Sequence, residues 1–195
     1  MAKKSIPSLD RDKLHQAVRL FLEAIGEEPD RPGLRDTPER VARMCEELFT
    51  GYRTSATEVL RLIAPEQHDE IVLVKNIPFY SVCEHHLLPF HGVAHVAYIP
   101  EGGRITGLSK LARVVELEAR KLRVQETLTT AIAEDIMQAL RPRGVIVILE
   151  AEHLCMTMRG VQKPGSITVT SVVRGIFREN PATRAEVLAL IKGRG

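Results

Sequence analysis

The sequence contains no tryptophan and few aromatic residues of any kind. Its 195 residues include 3 tyrosines and 5 phenylalanines, so aromatic side chains make up only 4% of the chain. Proteins that stack single-stranded bases usually carry more of them. The charge is also nearly balanced, because 27 basic and 25 acidic side chains leave a formal net charge of +2. So small a net charge gives no reason to expect a nucleic-acid or membrane surface, and we expect neither partner.

Cysteines and long apolar runs are scarce as well. The 3 cysteines are an odd number without the spacing of a disulfide framework. No plain apolar run is longer than the one at residues 145–149, which is far shorter than a membrane span. The positively charged start of the chain lacks the apolar stretch that would follow it in a signal peptide. Together these features predict a reduced, cytoplasmic protein.

The rest of the composition is that of an ordinary globular protein, with 44% apolar and 27% charged residues. Cys45 lies on the apolar stripe of the second predicted helix and is interpreted as a small core residue, and Gly51 as the C-terminal cap of that helix. Hydrophobic periodicity, β-branched runs and capping residues predict helices at about 9–25 and 37–51, strands at 71–74 and 93–99, helices at about 109–122 and 128–140, strands at 145–149 and 166–174, and a last helix at about 181–193.

Strands and helices in separate pairs are typical of an α+β fold with a largely antiparallel sheet. The sequence has no repeat, no low-complexity tract and no linker long enough to divide two domains. We therefore expect a single domain over residues 1–195. It would consist of an N-terminal helical arm over about 1–66 and a catalytic core over about 67–195.

Cysteine and histidine occur together in two short segments at the ends of predicted strands. Cys83 precedes His85 and His86, and His153 precedes Cys155. Two cysteines and one histidine suit a catalytic zinc ion, which takes three protein ligands and keeps a fourth position for water. Spacing alone leaves open which of His85 and His86 is the ligand, and the remaining histidines suit proton transfer near neutral pH. The alternative, core cysteines with hydrogen-bonded histidines, accounts less well for such close clustering.

Basic residues follow both of these segments. Ser109, Lys110 and Arg113 would share one side at the start of a helix, and Arg159 comes shortly after the second segment. Each cation taken singly is typical of a solvated surface. Their nearness in sequence to both segments predicts instead an anion pocket, since several Arg and Lys donors together hold polyphosphates.

An amide and a carboxylate stand next to each other between two predicted helices, at Gln125 and Glu126. Such a pair could recognise the N–H donors and the carbonyl of a purine edge. The dipeptide alone is weak support, because a charged residue in the first turn of a helix is common without any ligand.

The longer motifs of the chain resemble the GTP cyclohydrolase I family. The resemblance covers nearly the whole chain from about residue 12 onward, and motifs of this length in this order are highly specific. The matching segments are Cys83-Glu84-His85-His86, residues 91–100, 107–113, Val124-Gln125-Glu126 and 153–160, together with 37–42 and 180–184.

The resemblance implies a reaction, a metal and a set of site residues. Members of the family convert GTP and water to 7,8-dihydroneopterin triphosphate and formate, the first step of folate or tetrahydrobiopterin synthesis. The implied Zn²⁺ ligands are Cys83, His86 and Cys155. The other implied roles are proton transfer for His85 and His153, a position near the ribose for Ser109, triphosphate contacts for Arg40, Lys110, Arg113 and Arg159, and guanine recognition for Gln125 and Glu126.

The resemblance also implies the tunnelling fold, in which small antiparallel sheets join around a ring. It implies a homodecamer built from two pentamers, with sites between subunits. The chain departs from the family pattern at Thr127, where an arginine is often expected, and at Val172, where a smaller residue is expected. Neither departure touches an implied catalytic residue.

Two alternative functions compete with this interpretation. The first is a nitrile reductase of the same fold, which would use a cysteine nucleophile and a nicotinamide cofactor without zinc. The two cysteine–histidine segments argue against it. The second is a non-catalytic subunit that binds zinc or a nucleotide, which would require the loss of an acid–base or ligand residue, and none is lost from the sequence.

Overall fold

The computed structural model describes residues 9–62 and 68–193 of the chain. A sheet of five strands carries helices on both faces, and two further helices precede it in the chain, in the segment 9–62 that is called the arm below. The elements are α1 (Arg11–Ala24), α2 (Thr37–Leu48), a 3₁₀ helix (Thr50–Arg53), α3 (Ala56–Val59), β1 (Val72–Cys83), β2 (Pro89–Ile99), α4 (Leu108–Ala119), β3 (Leu122–Arg123), α5 (Gln125–Leu140), β4 (Gly144–His153), α6 (Leu154–Thr157), β5 (Ile167–Gly175), α7 (Ile176–Glu179) and α8 (Pro181–Lys192).

The predicted order of helices and strands is confirmed, and the α+β class with it. The strands β1, β2 and β4 run well beyond the predicted apolar segments, because pairing with neighbours carries polar residues into the sheet. The short elements α3, β3, α6 and α7 were not predicted, since periodicity does not detect pieces of two to four residues.

The predicted cap at Gly51 is wrong. Helix α2 already ends at Leu48, and Gly51 lies inside the 3₁₀ helix that follows. Its N–H donates to the carbonyl of Arg120 at 3.2 Å, and a Cβ at this position would lie 2.2 Å from the carbonyl oxygen of Leu117. Glycine is therefore required here because the arm approaches the end of α4 closely, and capping plays no part.

The sheet has the strand order β3-β1-β2-β4-β5. The pairs β1–β2, β2–β4 and β4–β5 are antiparallel, and the two-residue strand β3 pairs in parallel with the end of β1. The predicted largely antiparallel sheet is thus confirmed.

Strand β4 lies between two hydrophobic layers, one on each face of the sheet. Val145, Val147 and Leu149 face the layer formed with α4 and α5, whereas Ile146 and Ile148 face a smaller layer formed with α7 and α8. Alternate residues of a strand point to opposite faces, so burial on both sides requires the uninterrupted apolar run seen in the sequence. Cys45 is buried in the arm, as predicted. Among the described residues, no helix is both long enough and apolar enough to cross a membrane.

A buried group of charges lies where α4, β3 and α5 meet. The carboxylate of Glu118 is 2% exposed and contacts both Lys121 and Arg123. Burial, together with the nearby charge of Glu118, raises the pKa of Asp135 to about 7. The backbone of Arg123 pairs with that of Cys83, so this charged group supports the end of β1.

Replacing Asp135 by asparagine should stabilise the protein at alkaline pH. Asp135 binds a proton more tightly in the folded chain, with a pKa of about 7, than at its ordinary value of 3.8. Its contribution to stability is therefore present at low pH and is lost as the pH rises through 7. We expect Asp135→Asn to raise the free energy of unfolding at pH 8 by about 1 kcal/mol, a figure discounted for partial solvent contact, and by much less at pH 5.

Thermal unfolding at the two pH values measures this difference. The exposed carboxylate Glu186 provides a matched control, because Glu186→Gln should change the melting temperature equally at pH 5 and pH 8. A gain from Asp135→Asn that is the same at both pH values would contradict the assignment.

Candidate active site

The sheet topology brings the two cysteine–histidine segments to one end of the molecule. Strand β1 ends at Cys83 and β2 runs back from Pro89, so the hairpin loop between them lies at this end. Strand β4 is antiparallel to β2 and therefore finishes there as well, with His153 paired to Phe90. Cys155 follows immediately in the single turn of α6.

The hairpin loop turns His86 back towards Cys83. The N–H of Cys83 donates to the carbonyl of Leu88, and the N–H of Leu87 donates to the carbonyl of Cys83, each at 2.9 Å. Leu87 adopts the left-handed backbone region, with φ of 55°. This conformation is uncommon for a non-glycine residue, and it allows the chain to reverse within the loop.

Cys83, His86 and Cys155 form a compact group of donor atoms. The two sulfurs and one ring nitrogen of His86 all lie within 4.8 Å of one another. Donors bound to one zinc ion at ~2.0–2.3 Å stand roughly 3.3–3.8 Å apart at tetrahedral angles, so the group is close to the size that one ion requires. His85 lies outside the group, its ring centroid 6.2 Å from that of His86.

The Cys155 thiol lies in a partly buried environment beside a second thiol. Burial, and next the neighbouring Cys83 thiol, raise the pKa of Cys155 above its ordinary value. Because the metal ligand is the thiolate, a cation that binds here must displace the proton from Cys155.

We expect Zn²⁺ binding to the metal-free protein to release protons and to strengthen as the pH rises from 6 to 8. The reason is that the proton on Cys155 competes with the metal. Competition with a chromophoric chelator, calibrated at each pH, measures the affinity, and a pH indicator in weak buffer measures the released protons. Cys45→Ala, a change in the arm, should leave both quantities unaltered, whereas an affinity independent of pH would contradict the prediction.

His153 is held on two sides. Its ring stacks on Phe90 with the centroids 4.6 Å apart and the planes 2° from parallel. Its Nε2 lies 2.7 Å from Oε1 of Gln125. Burial lowers the pKa of His153, an effect partly opposed by the charge of Glu126, so the neutral imidazole is favoured near pH 7.

The model of one protein family, described as GTP cyclohydrolase I, matches residues 14–192. A protein named GTP cyclohydrolase 1 from Carboxydothermus hydrogenoformans is 63% identical over 94% of this chain and 95% of its own length. Proteins of the same name from Pelotomaculum thermopropionicum and Caldanaerobacter subterraneus subsp. tengcongensis are 62% and 59% identical, over 94% and 95% of this chain and 98% and 99% of their own lengths.

The chain belongs to the GTP cyclohydrolase I family. The predicted family and the predicted hydrolase activity on GTP are thereby confirmed, and the nitrile reductase is set aside. Among solved structures, an archaeosine synthase QueF-like protein in the apo form matches 54% of this chain and 93% of its own, with 20% identity and a TM-score of 0.43. So low a similarity carries no argument.

Of the residues that match the family's triphosphate contacts, Arg159 lies near the metal group, where its charge partly opposes the rise in the pKa of Cys155, whereas Lys110 lies far from that group within one chain. Helix α4 starts just after Thr106, whose N–H bonds to the hydroxyl of Tyr98 at the end of β2 remote from Cys83. With a rise of about 1.5 Å per residue, Lys110 lies about 15 Å along the axis from Arg120, at the other end of α4. Arg40 lies on the exposed side of α2 in the arm, 3.7 Å from Asp36.

The side chains of Lys110, Arg113 and Arg159 form no ion pair with the described residues. Ser109 and Glu126 are exposed at the first turns of α4 and α5, whereas Gln125 is 1% exposed. Sequence reasoning missed Phe90, because a phenylalanine in a strand carries no signal of its own. Only the register of β2 against β4 reveals that it stacks on His153.

Proposed function

We propose that the end of the sheet at Cys83 is the active site at which this chain converts GTP and water to 7,8-dihydroneopterin triphosphate and formate. One observation carries the proposal. Three donor atoms of the types that zinc prefers lie within 4.8 Å of one another. They stand beside His153, a histidine whose ring is held in place by two neighbours.

Cys83, His86 and Cys155 are the residues that would hold Zn²⁺. The set of two thiols and one imidazole fits zinc and suits neither magnesium nor calcium. When bound in such a site, zinc supplies a Lewis acid and lowers the pKa of water to about 7.

His153 and His85 serve as the proton-transfer groups in this proposal. Opening the imidazole ring of guanine breaks C–N bonds, and each departing nitrogen needs a proton. His153 is favoured in its neutral form by burial, so it can accept a proton and later return one. His85 lies on the same exposed loop as His86 and is available to substrate.

Substrate recognition is assigned to side chains that are exposed or, for Lys110, half-buried. The carboxylate of Glu126 can accept hydrogen bonds from guanine, which presents an exocyclic N2–H₂ donor. Gln125 was expected to share this contact, but its amide is buried, so we assign base recognition to Glu126. Ser109 is assigned a place near the ribose. The triphosphate is assigned to Arg40, Lys110, Arg113 and Arg159, whose charges suit a polyphosphate.

We further propose that neighbouring subunits complete the site. Within one chain the start of α4 lies at the end of that helix remote from the metal group, so a second copy would have to bring Lys110 and Arg113 to it. Strand β5 is an edge strand with Ile167 and Val169 54% and 60% exposed, and exposed apolar edges favour pairing with another chain. These features suit the expected tunnelling fold and a ring-forming homodecamer of two pentamers.

The first experiment is an assay of the purified protein with GTP, following formate and the fluorescence of the oxidised pterin. We expect product from the zinc-loaded protein, none after removal of the metal by a chelator, and recovery when zinc is restored. Cys155→Ala should lose bound zinc and turnover together, whereas the control Cys45→Ala should keep both. Full turnover by a metal-free Cys155→Ala protein would overturn the proposal.

Mixing two impaired variants, assayed at GTP concentrations well below KM, tests whether the site is shared between subunits. His153→Ala should reduce turnover by ~10²–10⁴-fold, as expected for loss of a general acid or base, and Arg113→Ala should raise KM for GTP by about tenfold or more. If one subunit supplies His153 and its neighbour Arg113, co-expression of the two variants restores sites that contain both residues.

The recovered activity should exceed the sum of the two separate variants. The control is a co-expressed pair of His153→Ala and Cys155→Ala, in which both changes fall in the same half of the site and no intact site can form. If the first pair shows no recovered activity, in oligomers verified to contain both variants, each subunit carries a whole site.

A further inference from the structure

The side chain of Gln125 is fully enclosed and fully hydrogen-bonded. Its Nε2 lies 3.1 Å from the carbonyl oxygen of Leu149 and 3.0 Å from that of Thr168. It also lies 3.1 Å from the hydroxyl of Thr170. On the other side, Oε1 lies 2.7 Å from Nε2 of His153. The amide therefore links α5, β4 and β5 to the catalytic histidine.

The surrounding groups determine which end of the amide is which. Backbone carbonyls only accept hydrogen bonds, so the end of Gln125 that faces Leu149 and Thr168 must be the NH₂ group. A flipped amide would press an oxygen against two other oxygens. The amide oxygen therefore faces His153. This assignment does not require hydrogen positions, because it follows from the carbonyls, which can only accept.

The threonine hydroxyls agree with the same orientation. Oγ1 of Thr129 donates to the backbone carbonyl of Gln125 at 2.7 Å. The hydroxyl of Thr170 lies 2.6 Å from Oγ1 of Thr129, so it donates there and keeps a lone pair for the amide of Gln125. The two hydrogens of Nε2 then face three acceptors, the carbonyls of Leu149 and Thr168 and the hydroxyl of Thr170, so one of these hydrogens is shared between two acceptors.

The orientation of the amide in turn decides the protonated nitrogen of His153. Because Oε1 of Gln125 only accepts, Nε2 of His153 must carry a hydrogen. Phe90 stacks on the ring and fixes its plane. The other nitrogen, Nδ1, has no hydrogen-bond partner within residues 9–62 and 68–193.

We propose that Gln125 is a positioning residue that acts through His153 and does not read the guanine. The amide oxygen of Gln125 accepts a hydrogen bond from Nε2–H of His153. Nδ1 is therefore the atom at which His153 exchanges a proton with substrate and water. Nδ1 gains a proton as water adds to the base and returns one to the departing nitrogen, and the side chain is unchanged after the turnover. The inference rests on the proposed function in so far as His153 takes part in proton transfer.

The test compares Gln125→Met with Glu126→Gln. Met has a similar length but cannot accept from Nε2–H, so kcat should fall by ~10–100-fold, the usual cost of losing such a supporting contact, while KM for GTP changes by less than about threefold. Glu126→Gln should instead raise KM and weaken the preference for GTP over inosine triphosphate. A Gln125→Met protein with normal kcat and a weakened GTP preference would overturn the inference.

A double variant provides the sharper result. If Gln125 acts through His153, then His153→Ala with Gln125→Met should be no slower than His153→Ala alone. Losses that multiply would mean that Gln125 acts independently, which overturns the inference. If His153→Ala alone has near-normal turnover, it is the proposed function that fails.

Two further measurements separate positioning from general damage. The metal-free Gln125→Met protein should bind GTP within about threefold of the unaltered chain, and a loss of tenfold or more would indicate a direct contact with the base. Gln125→Asn keeps an NH₂ group for the carbonyls of Leu149 and Thr168, but its side chain is one methylene shorter, so its oxygen should not reach Nε2 of His153. It should therefore lose kcat as the Met variant does, and it replaces the Met variant if that protein fails to assemble. A normal kcat in Gln125→Asn would contradict the inference. Thr130→Val is the control. It removes the hydrogen bond from Oγ1 of Thr130 to the backbone carbonyl of Glu126, which resembles the bond from Thr129 to Gln125, and it should leave kcat and KM unchanged.

Discussion

The antiparallel pairing of β2 with both β1 and β4 is the constraint on which the site depends. It places the end of β1, the start of β2 and the end of β4 at one end of the sheet. Cys83 and His153 therefore lie at the same end, although 69 residues separate them in the sequence. The register also sets Phe90 opposite His153. A shift of one residue would turn every side chain of a strand to the other face and would take Phe90 away from His153.

The need of buried polar groups for hydrogen-bond partners favours a single conformation at this end of the sheet. A buried amide must find partners for all its polar atoms, and Gln125 finds them in two strands and one histidine. Glu118 similarly contacts Lys121 and Arg123 on the neighbouring side. This end of the sheet is thus supported by polar contacts that would be costly to leave incomplete, which keeps the rings and sulfurs in defined positions.

The parts of the structure that were predictable rest on short-range signals. The helices and strands follow from periodicity and capping, and the three donor residues follow from residue types that rarely cluster without a metal. The cap at Gly51 was predicted wrongly because a glycine after a helix has two explanations, and the approach of α4 to the arm is invisible in the sequence. The enclosure of the Gln125 amide was equally hidden, because an amide beside a carboxylate has the same appearance in the sequence whether it points to a ligand or into the core.

The sequence by itself determined the family, the order of the elements and the residues able to carry the chemistry, including His86 through the family resemblance, since each depends on short motifs in the chain. Only the tertiary structure decided that the donor atoms of Cys83, His86 and Cys155 lie within 4.8 Å of one another, that Phe90 stacks on His153 and that the amide of Gln125 faces inward. These facts depend on strand register and on contacts between segments far apart in sequence. The physical reason is that polar side chains such as the amide of Gln125 become enclosed only when the chain has folded.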